Sequence, residues 1–420
     1  MSITGSCCTG RCEYDFTTVI DRKGQGSSKW NLMKTWNEDA YLRGITPLSV
    51  ADMEFKMAPP IIEGLKKYLD YVTLGYSVAY DEFYGAVMNW MYRRHNWTVK
   101  KEWIVNTPGV VNAFFAAVEA FTDPGDGVLI FKPIYYPFFD AINMNGRELV
   151  NCPLHRDKDN YYTIDFGNFE ELAKQPKNKL LILCSPHNPV GRVWKKSELE
   201  KLGEICLRHN VIILSDEIWM DFVLAEDAKH TPVAALSDEI ADITVTCTAP
   251  SKTFNLAGMA TSNIMISNSK MREQYRKVLM RVRSASVNVL GYKACEIAYN
   301  ECEGWFDQLL KIIDTNQRMV NSRLTAISNE ISKVKQLSTP LRAPLIEGTY
   351  LQWMDFRGLG MEHLEMEKFM HEEALFFLDE GYIFGDEGVG FERVNLAAPS
   401  GVISDALDML ELALKRSCGV

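Results

Sequence analysis

Two residues of this 420-residue chain have chemistry that neither could perform alone. Asp216 closes an apolar run that begins at Ile212. Lys252 follows 36 positions later in Pro250-Ser-Lys-Thr-Phe-Asn255, just after a second apolar run, Ile243 to Cys247. A lysine amine that has lost its proton attacks carbonyl carbon and holds an aldehyde as a Schiff base. A carboxylate buried at a strand end keeps a heterocyclic nitrogen protonated, which makes an aromatic ring an electron acceptor. Taken singly, each has a bland reading as a strand-end acid or a solvated loop lysine, so the elements around them decide.

Short apolar runs starting near residues 104, 128, 180, 211, 243 and 263 alternate with helical periodicity. That alternation predicts an α/β fold with a mostly parallel, doubly wound sheet, which binds ligands beyond the carboxyl ends of its strands. Each candidate falls at such an end. Ile104 to Val118 reads as a strand, a Pro-Gly turn and a helix beginning near Gly109, whose free N–H groups suit a phosphate. Val128 to Phe131 runs into Lys132-Pro-Ile-Tyr-Tyr-Pro137, where Tyr135 or Tyr136 would stack on a planar ring or simply fill the core. Leu180 to Cys184 leads into Ser185-Pro-His-Asn-Pro-Val-Gly191, where the Asn188 amide reaches a ring hydroxyl and His187 reads as a structural turn residue. An aldehyde, a ring nitrogen, a hydroxyl and a phosphate together describe pyridoxal 5′-phosphate, the cofactor these positions predict.

Beyond Leu290 the pattern changes to helices, roughly 291–321, and then to strand-like Gly348 to Asp355 and Phe391 to Leu396, a smaller α+β unit. Arg393 lies inside the last run. A buried guanidinium requires an anion, either a substrate carboxylate held bidentately or a structural Asp or Glu. The domain organisation expected is an arm and part of the small domain over 1–60, a large cofactor-binding domain over 61–300 and a small C-terminal domain over 301–420. Residues 13 to about 45 read as an extended arm.

Composition bounds the function. With 47% hydrophobic residues, 24% charged and a net charge of −10, the chain has ample core material but lacks the basic stripe that nucleic acid or anionic membrane would need. It has no run of about 18 apolar residues and no secretory leader pattern, so a cytoplasmic protein is expected. Seven of the ten cysteines sit in apolar contexts as small hydrophobes. Cys7, Cys8 and Cys12 crowd together without a histidine or second Cys pair to complete a metal site and read as a tail.

Asp216-Glu-Ile, Ser251-Lys-Thr-Phe-Asn255, His187-Asn-Pro-Val-Gly191 and Arg393-Val-Asn resemble the fold-type I pyridoxal phosphate enzymes of the aminotransferase class I/II superfamily. Val50-Ala-Asp-Met-Glu-Phe55, Thr107-Pro-Gly-Val-Val111, Pro133-Ile-Tyr-Tyr-Pro-Phe138 and Glu347-Gly-Thr-Tyr-Leu351 narrow the likeness to the MalY/PatB group of cystathionine β-lyases, from about Tyr14 to the C-terminus. The resemblance implies a seven-stranded large-domain sheet and a homodimer. It also implies β-elimination from cysteine, cystathionine or an S-substituted cysteine, with an aminotransferase of the same fold as the alternative. By the same resemblance Lys252 is the Schiff-base lysine and proton shuttle, Asp216 pairs the ring nitrogen, Asn188 bonds the 3′ oxygen and Tyr135 stacks, with Trp219 also at the cofactor. Gly109, Val110, Val111 and Ser251 surround the phosphate, joined by Tyr76 of the neighbouring subunit. Arg393 takes the substrate carboxylate beside Val50, Tyr135 and Tyr136, and Tyr136 assists the departing sulfur. Three positions depart from the superfamily pattern. Trp219 stands where Tyr or His is common and cannot accept a proton, while Ala260 and Ala249 replace groups that often help hold phosphate.

Overall fold

The computed structural model describes residues 14–419 apart from 283 and 285; the Cys7, Cys8 and Cys12 cluster lies outside the described residues. Seven strands form the main sheet: β1 (Ile104–Thr107), β2 (Gly127–Ile130), β3 (Glu148–Asn151), β4 (Asn178–Cys184), β5 (Ile212–Asp216), β6 (Thr244–Thr248) and β7 (Ser262–Met265). Their order is β1-β7-β6-β5-β4-β2-β3. All neighbours are parallel except β7, which runs antiparallel to both β1 and β6. Leu180 to Cys184 of β4 is buried without a break, as expected of a parallel strand covered by helices on both faces. Strand β3 gave no clear apolar signal in the sequence, because it is an edge strand with Glu148 exposed and its other residues half-buried.

The register fixes the centre of the site. Asp216 is the last residue of β5 and lies opposite Cys184 of β4 and Cys247 of β6, both buried. Helix α1 (Ser28–Trp36) and helix α2 (Glu38–Arg43) replace the expected extended arm. Polar residues hid them, yet Trp30 and Met33 are buried, and Lys29 is wholly buried between Asp52 at 2.8 Å and Glu54 at 3.1 Å. Helix α3 (Pro59–Leu69) begins on two prolines, and helix α4 (Asp81–His95) starts with two acids and ends with three basic residues, matching the helix dipole at both ends.

A smaller antiparallel sheet has the order β8-β10-β9, from β8 (Leu351–Asp355), β9 (Asp379–Glu380) and β10 (Phe391–Asn395). The helices Glu303–Ile331 and Ser400–Cys418 pack against each other beside it. Seven cysteines are buried free thiols, and among the described residues no helix is long and apolar enough to cross a membrane.

Candidate active site

One cavity of about 290 Å³ opens at the carboxyl ends of β4, β5 and β6. Twelve of the thirteen residues expected from the sequence line it. These are Gly109, Val110, Val111 and Ser251, with Asp216, Trp219 and Lys252, and Val50, Tyr135, Tyr136, Asn188 and Arg393. Tyr76 is not brought to it; that side chain is fully exposed in the loop between α3 and α4.

Lys252 rides on a single turn, Pro250–Thr253, that starts directly after β6. Its Nζ donates to the carbonyl of Ala51 at 2.8 Å, the same oxygen that accepts from the Tyr350 hydroxyl at 3.0 Å. Burial pulls the amine down to about 8, with the nearby Arg393 adding to the effect. The Ala51 carbonyl is held in place by its neighbours: Asn255 bonds both backbone groups of Met53, and Asn395 donates to the carbonyls of Val50 and Asp52. Trp219 lies under the amine, 5.5 Å from ring centroid to Nζ, and is braced edge-on by Tyr350 at 4.6 Å. Ala51 and Tyr350 escaped sequence reasoning because a backbone oxygen has no residue signature and a tyrosine in an apolar strand reads as core.

Asp216 receives one backbone N–H, from Ile218 at 3.2 Å, and burial pushes its carboxyl up to about 7. A buried carboxyl in that condition is poised to accept a cationic N–H donor. Gly109 caps helix α5 (Val110–Phe121) at φ +106°, in the region open to glycine, and no side chain caps the helix. The first amides of a twelve-residue helix therefore face the cavity uncommitted, and a Cβ at Gly109 would project into open space. Ala260, in left-handed backbone, also lines the cavity.

Arg393, also lining the cavity, is 3% exposed. Its Nη1 donates to Asn188 Oδ1 at 2.9 Å and its Nη2 to the Asp379 carboxylate, while Nε has no partner. The structural acid foreseen as an alternative for Arg393 is thus present, on the neighbouring strand. With Oδ1 of Asn188 committed to Arg393, its amide nitrogen is the donor left for a ring oxygen. Tyr135 and Tyr136 pack 5.3 Å apart, and burial raises the Tyr135 hydroxyl well above its ordinary value, so it stays protonated. His187 is fully buried, bonds the Pro133 carbonyl at 2.9 Å and is lowered to about 4 by burial, which fits the structural role expected of it.

These groups fit pyridoxal 5′-phosphate by their own chemistry: an amine of lowered pKa, a buried acid without a cationic hydrogen-bond partner, an uncapped helix N-terminus and an amide donor on one cavity wall. Among the described residues the only cationic side chains lining the cavity are Lys252 and Arg393, so a phosphate at Gly109 would rest on amides and hydroxyls.

The chain matches the aminotransferase class I and II family over residues 48–400. It is 39% identical over 382 residues to the cystathionine β-lyase PatB of Bacillus subtilis, covering 90% of this chain and 96% of that protein. It is 31% identical to protein MalY of Escherichia coli, covering 92% and 95%. Cystalysin of Treponema denticola, whose crystal structure contains pyridoxal 5′-phosphate, superposes with a TM-score of 0.91 at 51% identity, covering 96% of this chain and 99% of that one.

Proposed function

The chain belongs to the aminotransferase class I and II family, and from that membership we propose that it is a pyridoxal 5′-phosphate-dependent carbon–sulfur β-lyase. It eliminates a thiol or sulfide from cystathionine, L-cysteine or a related S-substituted cysteine, leaving pyruvate and ammonia. The observation that carries this reading is the single cavity holding Lys252, Asp216, Asn188 and Arg393, in a chain 39% identical to a cystathionine β-lyase.

When bound, pyridoxal 5′-phosphate supplies an aldehyde for the substrate amine and a ring that accepts the electrons left when the Cα proton departs. The protein does the rest. Arg393, oriented by Asn188, binds the substrate carboxylate and so places Cα within reach of Lys252. The Lys252 amine, lowered to about 8, has an appreciable neutral fraction near neutral pH and takes the Cα proton. Asp216 would hold a proton on the ring nitrogen, Tyr135 would pack against the ring and Trp219 would wall the amine side. Tyr136, which lines the cavity and is partly exposed, would assist the departing sulfur.

The active unit is a homodimer in which Tyr76 reaches the phosphate of the neighbouring subunit. Supporting this are the exposed apolar side chains Leu69, Tyr71, Leu74, Tyr76 and Val78, gathered in one stretch. Buried free thiols and the absence of any disulfide among the described residues fit a reducing, cytoplasmic setting. A second reading, an aminotransferase using the same groups, draws on Trp219, which cannot exchange protons as the commoner Tyr or His at that position can. Incubating the purified enzyme with L-cystathionine or L-cysteine decides between them. The lyase releases pyruvate with no keto acid present, whereas keto-acid-dependent amino transfer without pyruvate would establish the second reading.

A further inference from the structure

Directly behind Arg393 lies a second group of ionisable side chains, which the chemistry above does not use. Successive residues of a strand point to opposite faces of a sheet. Asp379 and Arg393 pair across β9 and β10 on the cavity side, so their neighbours Glu380 and Glu392, which also pair, point to the back. Glu367 and His371, one helical turn apart, converge there from the helix His363–Lys368 and the π-helical turn Phe369–Glu373 that continues it. Ligand atoms of Glu367, His371 and Glu380 lie within 4.8 Å of one another.

This is not a surface acidic patch. Glu380 is 8% exposed and Glu392 3%, and among the described residues neither pairs with a lysine or arginine. Glu380 Oε1 is buried and has no hydrogen-bond partner. It lies 3.3 Å from His371 Nε2 without the alignment of a hydrogen bond. That spacing is close to the edge of a tetrahedron, roughly 3.3–3.4 Å when nitrogen and oxygen ligands sit about 2.0–2.1 Å from a zinc-class ion. The remaining contacts hold the ligands in place. Trp36 stacks on the His371 ring at 4.3 Å, and the Tyr382 hydroxyl donates to Glu367 Oε2 at 2.9 Å. Glu392, buried and opposite Glu380 in the strand register, brings a further carboxylate to the group.

We propose that Glu367, His371 and Glu380, with Glu392 alongside, form a binding site for one divalent cation of the zinc class. The ion would tie β9 to the π-helical turn and so brace the strand pair whose front face presents Asp379 and Arg393.

The test uses full-length protein carrying its coenzyme and the substitutions Cys7→Ser, Cys8→Ser and Cys12→Ser, so that the N-terminal thiols do not compete for metal. After chelation and dialysis it is titrated calorimetrically with zinc alone. The expected result is one zinc per chain, a melting temperature that rises with zinc, and at least a tenfold loss of affinity in both His371→Asn and Glu367→Gln. Glu367→Gln alters a half-buried position and keeps the test interpretable if the buried substitution fails to fold. No zinc uptake, or uptake unaltered in the substituted proteins, would overturn the proposal and leave a cluster of carboxyls sharing protons.

Discussion

Arg393 and Asp379 are cross-strand partners in register, and the guanidinium donates to that carboxylate at the wall of the active-site cavity. A substrate carboxylate that approaches Arg393 therefore meets an anion already bonded to it. Asp379→Asn keeps a side-chain acceptor of the same shape and removes the competing charge. We expect KM for cystathionine to fall by about threefold to tenfold with kcat nearly unchanged, since a hydrogen bond to a charged group contributes about 1.5–3 kcal/mol and only part of it is released. Steady-state kinetics would show it, and a raised KM would mean that Asp379 orients the arginine more than it competes.

Arg393→Lys tests the same wall from the other side. Lysine keeps the charge but loses the planar fork that holds Asn188, Asp379 and a carboxylate together. KM should rise by about 10- to 150-fold, corresponding to about 1.5–3 kcal/mol, with the visible absorbance of the bound coenzyme retained. An unchanged KM would place the substrate carboxylate elsewhere.

Asp216 gives a pH-dependent prediction with a definite sign. Burial raises its carboxyl to about 7, against about 3.9 in an unfolded chain. The folded state thus keeps a proton that the unfolded state has lost, so this residue's effect on stability becomes less favourable as pH rises from about 4 to 7 and is level above that. In enzyme stripped of its coenzyme, Asp216→Asn should melt at a higher temperature than the parent at pH 8, reflecting a stability gain on the order of a few kcal/mol, and alike near pH 4. Adding pyridoxal 5′-phosphate should raise the parent's melting temperature far more than the variant's. Equal melting of the two stripped proteins at pH 8 would contradict the burial argument.

Trp219 lies 5.5 Å from the Lys252 amine and is locked by Tyr350. Trp219→His restores an ionisable side chain there and opens space under the amine. Coenzyme should be retained, while kcat/KM changes unevenly, by roughly tenfold on some members of a panel of S-substituted cysteines. Identical kinetics across the panel would make the tryptophan neutral.

The reading of the sequence located groups whose position follows from strand ends. Asp216, Asn188, Tyr135 and Lys252 each follow a buried apolar run, and such runs are visible in sequence. It failed where charge is buried or contacts are long-range. Lys29, wholly enclosed by Asp52 and Glu54, reads in sequence as solvated, which is why α1 passed for an arm. Asp379 falls in a two-residue strand too short to carry a periodicity. The Ala51 carbonyl contacts Lys252 across 201 positions of chain.

The central claim is that the Lys252 side chain holds the coenzyme covalently. Reducing the enzyme with borohydride, digesting it and sequencing the fragments by mass spectrometry tests this most directly. The account predicts a phosphopyridoxyl group on Lys252 alone, with Lys252→Ala unlabelled and turning over orders of magnitude more slowly. Label on another lysine, or an undiminished rate in Lys252→Ala, would contradict it.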